Sequence, residues 1–313
     1  DPESIKPKKT DQKALVIGSG PSGLECSMQL ARRGYHVTLA EADNKLGGRV
    51  IFESGLKGLS AWKRVSDNRL YEIQQKNNIE IYKESELTLS HINELGIDNI
   101  FLATGSSWRK DGIGRSRRKP IQGLETLKVL TPEMAIKESK NLSGPIVVYD
   151  DEQGYLAGVI ADHLRSDDHE IIFITPASVV SPWTESTLEQ KRIQKSLLVS
   201  GVNVICNKTI DKVEGSNLSL QCVFTGEIAL LECSAIVMVT ERIPNTTLYD
   251  QLVEQENSTE DGKTKHIQLI GDAESPGLIA DAVFLGHLAA QNFEEPEQET
   301  QKAMFMREMP SLK

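Results

Sequence analysis

Apolar and polar positions along the chain fall into short blocks whose order predicts a parallel α/β fold. Ala14–Ile17 is an unbroken apolar run, the pattern of a strand buried on both faces. Ser22–Arg33 reads as a helix, and Gly34 stands where a helix end favours positive φ. Tyr35–Ala40 is a second strand. Leu59–Lys76 has a helical pattern with apolar Leu59, Trp62, Val65, Leu70 and Ile73. Ile79–Tyr82 and Asp98–Thr104 read as further strands. Thr131-Pro132-Glu133 has the form of a helix start.

A second strand–turn–helix–strand unit follows, with strand Ile146–Tyr149, helix Tyr155–Arg165 and strand Glu170–Thr175. Leu188–Leu198 reads as a helix. Gly201–Cys206, Asn217–Phe224 and Ile228–Cys233 read as strands of a meander, and Ala235–Val239 returns to the sheet. His266–Ile270 is the last buried strand and Ala280–Phe293 the terminal helix. The repetition predicts an α/β chain of two Rossmann-like dinucleotide-binding domains, the second inserted in the first. The expected division is a linker at 1–12, a first domain at 13–142, an inserted domain at 143–245, and the rest of the first domain with an acidic tail at 246–313.

The first turn carries the chemistry. Gly18, Gly20 and Gly23 fit G-x-G-x-x-G, between a strand and a helix. The first glycine permits the turn, the second lets backbone approach a pyrophosphate, and the third brings helix and strand close. Pro21 and Ser22 open the helix, whose N-terminus favours phosphate. Glu41 ends the second strand, followed by Ala42, and its carboxylate can accept the hydroxyl protons of an adenosine ribose. Gly47-Gly48 and Arg49 are placed to pass a cofactor closely and to face its phosphates or flavin. Ala103-Thr104-Gly105 lets the chain cross close to the dinucleotide, and Gly271-Asp272 at a strand end offers a carboxylate to a ribityl or ribose hydroxyl.

The second unit lacks this equipment. Where glycines belong it has Asp150-Asp151-Glu152-Gln153-Gly154, and carboxylates repel a pyrophosphate. Pro176–Ser178 supplies neither a base for a 2′-phosphate nor an acid for a ribose. The expectation is a retained fold with a damaged or absent NAD(P) site. The basic run of Arg115, Arg117, Arg118 and Lys119 reads first as a solvated loop, and otherwise as a contact with an acidic partner or another domain's cofactor.

The 313 residues carry a net charge of −10, which disfavours nucleic acid or an anionic membrane as partner. No apolar run reaches the roughly 20 residues of a membrane span. Cys26, Cys206, Cys222 and Cys233 are scattered without a C-x-x-C, which fits a reducing cytoplasm and argues against a metal site or cluster in this chain. No catalytic residue is assigned, since no histidine or nucleophile stands in an acid–base arrangement.

Several stretches together resemble one family: ALVIGSGPSGLE, GGRV at Gly47, FLATGSSWR, VLTPE, SPWTESTLEQKRIQ, VTERIPN and, above all, LIGDAESPGLIADAVFLGH. They are similar to the C-terminal nucleotide-binding half of the trimethylamine dehydrogenase group. That group includes dimethylamine and histamine dehydrogenases and N-methyl amine demethylases, with 2,4-dienoyl-CoA reductase more distant. The resemblance implies an upstream FMN-bearing barrel and a 4Fe-4S segment, neither in this sequence, supplied by the same polypeptide or a partner subunit. It implies amine oxidation in that barrel, electron transfer to an electron-transfer flavoprotein, and a homo-oligomer at full length. On this chain it implies FAD or ADP at Gly18, Gly20, Gly23 and Glu41, with Gly48, Arg49 and Asp272 along the pyrophosphate or flavin side. The alternatives are a self-contained FAD-dependent NAD(P)H reductase and a non-catalytic structural ADP-binding domain.

Overall fold

A computed structural model describes residues 7–8, 10–258 and 265–295. The expected linker falls largely outside these residues, and so does the expected tail. The chain divides into two compact units, one of Asp1–Ile51, Trp62–Ser106 and Pro244–Lys313, the other of Phe52–Ala61 and Ser107–Ile243.

In the first unit a five-stranded parallel sheet runs in the order His266–Leu269, Asn99–Leu102, Lys13–Ile17, His36–Ala40, Ile79–Tyr82. The opening apolar run is explained by its place at the centre. Ala14 and Val16 join one buried cluster with Leu24, Leu30 and Phe101. Leu15 and Ile17 join another, with Ile100, Leu102 and Ile92. Each large aliphatic side chain so buried contributes on the order of 2 kcal/mol. Helix Pro21–Arg33 packs against the final helix Ile279–Asn292 and ends at Gly34, whose φ of 109° an L side chain would resist. Within that packing the buried Glu25 accepts hydrogen bonds from Gln29 (2.6 Å), His287 (2.9 Å) and Arg69 (2.6 Å). Burial raises the Glu25 carboxyl, but these partners hold it below its ordinary value. His287 is thereby a structural hydrogen-bond partner of Glu25.

The second unit has its own five-stranded parallel sheet, ordered Lys128–Leu130, Ala235–Val239, Ile146–Asp150, Ile171–Ile174, Asn203–Ile205. It begins earlier in the chain than residue 143 because Lys128–Leu130 pairs with Ala235–Val239. An antiparallel three-stranded sheet, Lys208–Glu214, Asn217–Cys222 and Ile228–Glu232, adds Ile210, Val213, Leu218 and Leu220 to the core beneath Val147 and Tyr149.

One expectation is corrected here, and one element is added. Gly201–Cys206 is not a meander strand. Gly201 caps the preceding helix with a φ of 81°, and Asn203–Ile205 continues the parallel sheet beside Ile171–Ile174. The meander's first strand is Lys208–Glu214, whose polar sequence hides a half-buried edge. The short helix Leu89–Leu95 was also not anticipated; Thr88 and His91 form its capping box.

Candidate functional site

The first unit carries a cavity of about 300 Å³ at the carboxyl ends of its strands. In open α/β sheets ligands bind at this edge. Its lining contains every residue nominated from the sequence except Gly47 and the two glycines Gly23 and Gly271. Those two set the walls. A Cβ on Gly23 would lie 1.9 Å from the Gly18 carbonyl oxygen, and one on Gly271 would lie 2.5 Å from Ser22 Cβ. They bring the helix to the strand and the final loop to the helix.

Gly20 behaves differently. A Cβ there would meet nothing within 4 Å, so the fold does not require glycine for space at this position. It is the N-cap of helix Pro21–Arg33, with no side-chain cap and no acid in the first turn. The N-terminal amides therefore form a positive end that no side chain caps. Beside them Ser22 Oγ is buried without a hydrogen-bond partner. An uncapped helix start with an orphaned hydroxyl fits the phosphates of a nucleotide.

Glu41 lines the same cavity. Its Oε2 accepts from Ser19 N at 2.8 Å and Ser19 Oγ at 2.5 Å, and its Oε1 accepts from Asp43 N at 2.9 Å. Its backbone is fixed by Glu41 N donating to Tyr82 O and Ser85 N donating to Glu41 O, both at 2.8 Å. Ser85 and Ala42 line the cavity next to it. Across the cavity, Ala103-Thr104-Gly105 is clamped by Asn245. Thr104 Oγ1 donates to Asn245 O at 2.7 Å, and Asn245 Nδ2 donates to Thr104 O at 3.0 Å. Asp272 lies at the far side, accepting from Arg49 Nη2 at 2.9 Å, Ser106 Oγ at 3.0 Å and Gly277 N at 3.0 Å. Gly48, with φ 57°, brings this segment against Gly20, where a Cβ would lie 2.9 Å from Gly20 Cα.

Among the described residues lining the cavity, the ionisable side chains are Glu41, Arg49 and Asp272. Each is engaged in hydrogen bonds or an ion pair. The lining contains no histidine, cysteine, lysine or tyrosine to move a proton. The arrangement can grip phosphates and a diol; it offers no acid–base pair. Sequence reasoning missed Ser19, Ser85, Ser106 and the apolar wall of Leu278, Ile279 and Ala282. Ser19 lies within the glycine motif and could have been found there; the others are brought in only by tertiary packing.

The corresponding turn of the second unit is built otherwise. Asp151 N and Glu152 N both donate to Val239 O, at 2.9 and 3.0 Å. Gln153 N donates to Asp150 Oδ1 at 2.7 Å. The amides of Asp151, Glu152 and Gln153 in this turn are thus already used. Burial drives the Asp150 carboxyl well above its ordinary value, only partly offset by the Gln153 amide, and neighbouring Glu152 and Asp151 push the same way. The basic run 115–119 is an exposed loop at Arg115, Arg118 and Lys119, and it also makes contacts within the chain. Arg115 Nε donates to Glu152 O at 2.9 Å, and Arg117 donates to Ile210 O at 2.9 Å and Asp211 O at 3.1 Å. Its acidic partner is this chain's own turn.

The family model of the pyridine nucleotide-disulphide oxidoreductases matches residues 12–284. The chain is 29% identical to dimethylamine dehydrogenase from Hyphomicrobium sp. (strain x), over 96% of this chain and 44% of that protein. It superposes on histamine dehydrogenase from Rhizobium sp. 4-9 with a TM-score of 0.91 and 37% identity, covering 95% of this chain and 46% of that one. It superposes on 6-hydroxypseudooxynicotine amine oxidase from Pseudomonas geniculata N1 with a TM-score of 0.88 and 34% identity, covering 94% and 44%. The chain spans less than half the length of each of these relatives.

Proposed function

The chain belongs to the pyridine nucleotide-disulphide oxidoreductase family, and from that premise we propose that it is the nucleotide-binding part of a flavin-dependent oxidoreductase of small amines. The first unit would hold ADP, or the adenosine diphosphate portion of FAD. The observation that carries this reading is that the uncapped helix start, with its orphaned Ser22 hydroxyl, and the Glu41 carboxylate line one cavity. Ser22 and the first-turn amides would bind the phosphates. Glu41 would take the ribose hydroxyls, and Ala103–Gly105 would back the nucleotide. Arg49 and Asp272 would lie toward its distal end. When bound, FAD would supply redox chemistry, whereas ADP would supply only a fixed charge and shape.

Oxidation of the amine is assigned to an upstream flavin-bearing domain. Homology to amine dehydrogenases over nearly all of this chain, but under half of theirs, supports a division of labour of this kind. An electron-transfer flavoprotein as acceptor, a homo-oligomeric full-length protein and a cytoplasmic location complete the proposal. No helix among the described residues is long and apolar enough to cross a membrane.

The test is to purify the chain, release its nucleotide by heat and identify it by chromatography, alongside a visible spectrum. One adenine nucleotide per chain is expected, with no bleaching on adding NADH or NADPH. A yellow protein that NADPH or NADH bleaches would favour the self-contained reductase. Absence of any adenine nucleotide, even after adding FAD and ADP, would overturn the reading.

A further inference from the structure

The second unit contains the crevice in which its fold class binds dinucleotides. Ile146–Asp150 has Ala235–Val239 on one side and Ile171–Ile174 on the other, all parallel, so the gap at its carboxyl end is the position a dinucleotide takes in such sheets. That position is filled from within the unit. Ser116 N donates to both carboxylate oxygens of Asp151, at 3.2 and 3.0 Å, and Ser116 Oγ donates to Oδ1 at 2.7 Å. Gly114 is seated so closely that a Cβ on it would lie 2.4 Å from Asp151 Oδ2 and 3.2 Å from Thr240 Cβ. Gly114 N donates to Arg117 O at 3.0 Å, which closes the segment on itself. Arg115 reaches the Glu152 carbonyl and lays its guanidinium 4.9 Å over the Trp183 ring.

We infer that the segment Gly114–Arg118 is a built-in plug of the second dinucleotide crevice, anchored by Ser116 on Asp151, and that this unit takes no nicotinamide dinucleotide while the plug is seated. The contacts reproduce in reverse what a phosphate site would do. A bound pyrophosphate presents acceptors to backbone amides. Here the turn presents the acceptors, Asp151 and the Glu152 carbonyl, and the plug supplies an amide, a hydroxyl and a guanidinium. The turn's own amides are consumed by Val239 and Asp150. A dinucleotide would have to displace the plug and then face carboxylates whose flanking amides, those of Asp151, Glu152 and Gln153, are already engaged. The plug nevertheless lies at the surface, with Arg115, Ser116 and Arg118 exposed, so its seating is open to measurement. This inference concerns the second unit alone and stands or falls separately from nucleotide binding by the first.

Trypsin reads the seating directly, because Arg115, Arg117 and Arg118 are its cleavage positions. Limited digestion of the full chain, with fragments identified by mass, is compared for wild type, Asp151→Ala and Ser116→Ala. Asp151→Ala removes the anchor, and cleavage at 115–118 is expected to be at least about tenfold faster than in wild type. Ser116→Ala deletes only the hydroxyl, leaves the buried turn intact, and is expected to accelerate cleavage about threefold; it keeps the test open if Asp151→Ala fails to fold. In parallel, wild type should not quench Trp fluorescence on titration with NADH or NADPH to 1 mM beyond the inner-filter control. Wild type cut in this segment as fast as Ser116→Ala would overturn the inference. So would saturable binding of either dinucleotide to wild type.

Discussion

Ser19 and Glu41, 22 residues apart, are joined twice: the Ser19 amide and hydroxyl both donate to the same carboxylate oxygen, Oε2. The second residue of the glycine turn thus fixes the acid at the end of the next strand. The carboxylate is aimed before any ribose arrives, which removes part of the ordering cost of binding.

Glu41→Ala should therefore weaken ADP by about tenfold to a hundredfold, since a hydrogen bond to a charged group is worth about 1.5–3 kcal/mol and tenfold is about 1.4 kcal/mol. The same carboxylate repels a 2′-phosphate, so wild type should prefer ADP to its 2′-phosphorylated analogue and the variant should lose that preference. Calorimetric titration of both ligands checks it. Equal affinity of wild type for the two would remove Glu41 from the ribose position.

The glycines separate binding from folding. Gly20→Ala places a methyl group in open space at a helical start with no steric partner within 4 Å. The variant should melt within a few degrees of wild type without ligand, yet bind ADP at least about tenfold more weakly, because the methyl stands where phosphate must approach. Gly23→Ala should do the reverse. Its methyl would sit 1.9 Å from a backbone oxygen, and forced overpacking costs about 1–3 kcal/mol or more. Thermal melts with and without ADP distinguish the two. A Gly20→Ala protein that retains wild-type affinity would displace the phosphates from the helix start.

The contrast between these positions also explains what was legible in the chain. Gly18, Gly20, Gly23 and Glu41 could be read because the chemistry of the turn is local and its spacing fixed. The two faces of the central strand could be read because Ala14–Ile17 has no polar residue to expose. The Thr104–Asn245 clamp spans 141 residues, and no periodicity encodes it. Lys208–Glu214 was missed because three of its seven residues are lysine or glutamate and only one face is buried. The contacts of the basic run were not legible because they go mostly to carbonyl oxygens and one buried aspartate, supplied by segments that follow it.

Cys222 should be the first thiol of the chain to react. The Thr225 side chain donates to it, followed by the backbone amides of Thr225 and Phe224, and together they lower its thiol to about 7. Burial pushes Cys26 and Cys206 up, and Cys233 to about 11. Since the thiolate is the nucleophile, iodoacetamide at pH 7.5 should label Cys222 before the others, with a labelling rate half-maximal near pH 7. Thr225→Val should shift that midpoint upward. Peptide mapping over time measures it, and equal labelling of Cys222 and Cys206 would contradict the expected order.

Asp150 gives the second unit a stability that falls as the solution becomes more basic. Its carboxyl is fully buried at the end of Ile146–Asp150, with Oδ1 held by the Gln153 amide and Oδ2 without a partner. Burial raises its folded-state pKa well above the unfolded value. Between the unfolded pKa, about 3.9, and the raised folded one, the native state binds more protons than the unfolded state. Stability attributable to this group is then greatest at the acid end of that window and declines as pH rises through it. Glu25 and Asp111 act oppositely, because their lowered values make their contribution fade as pH falls. The raw pH profile mixes the two signs, so the informative quantity is a difference. Asp150→Asn cannot ionise, and the stability of the variant relative to wild type should increase steadily from pH 4.5 to 7.5. Urea denaturation of both proteins across that range measures the difference. Parallel profiles would mean that Asp150 keeps the same charge folded and unfolded, and that the turn accommodates a buried carboxylate.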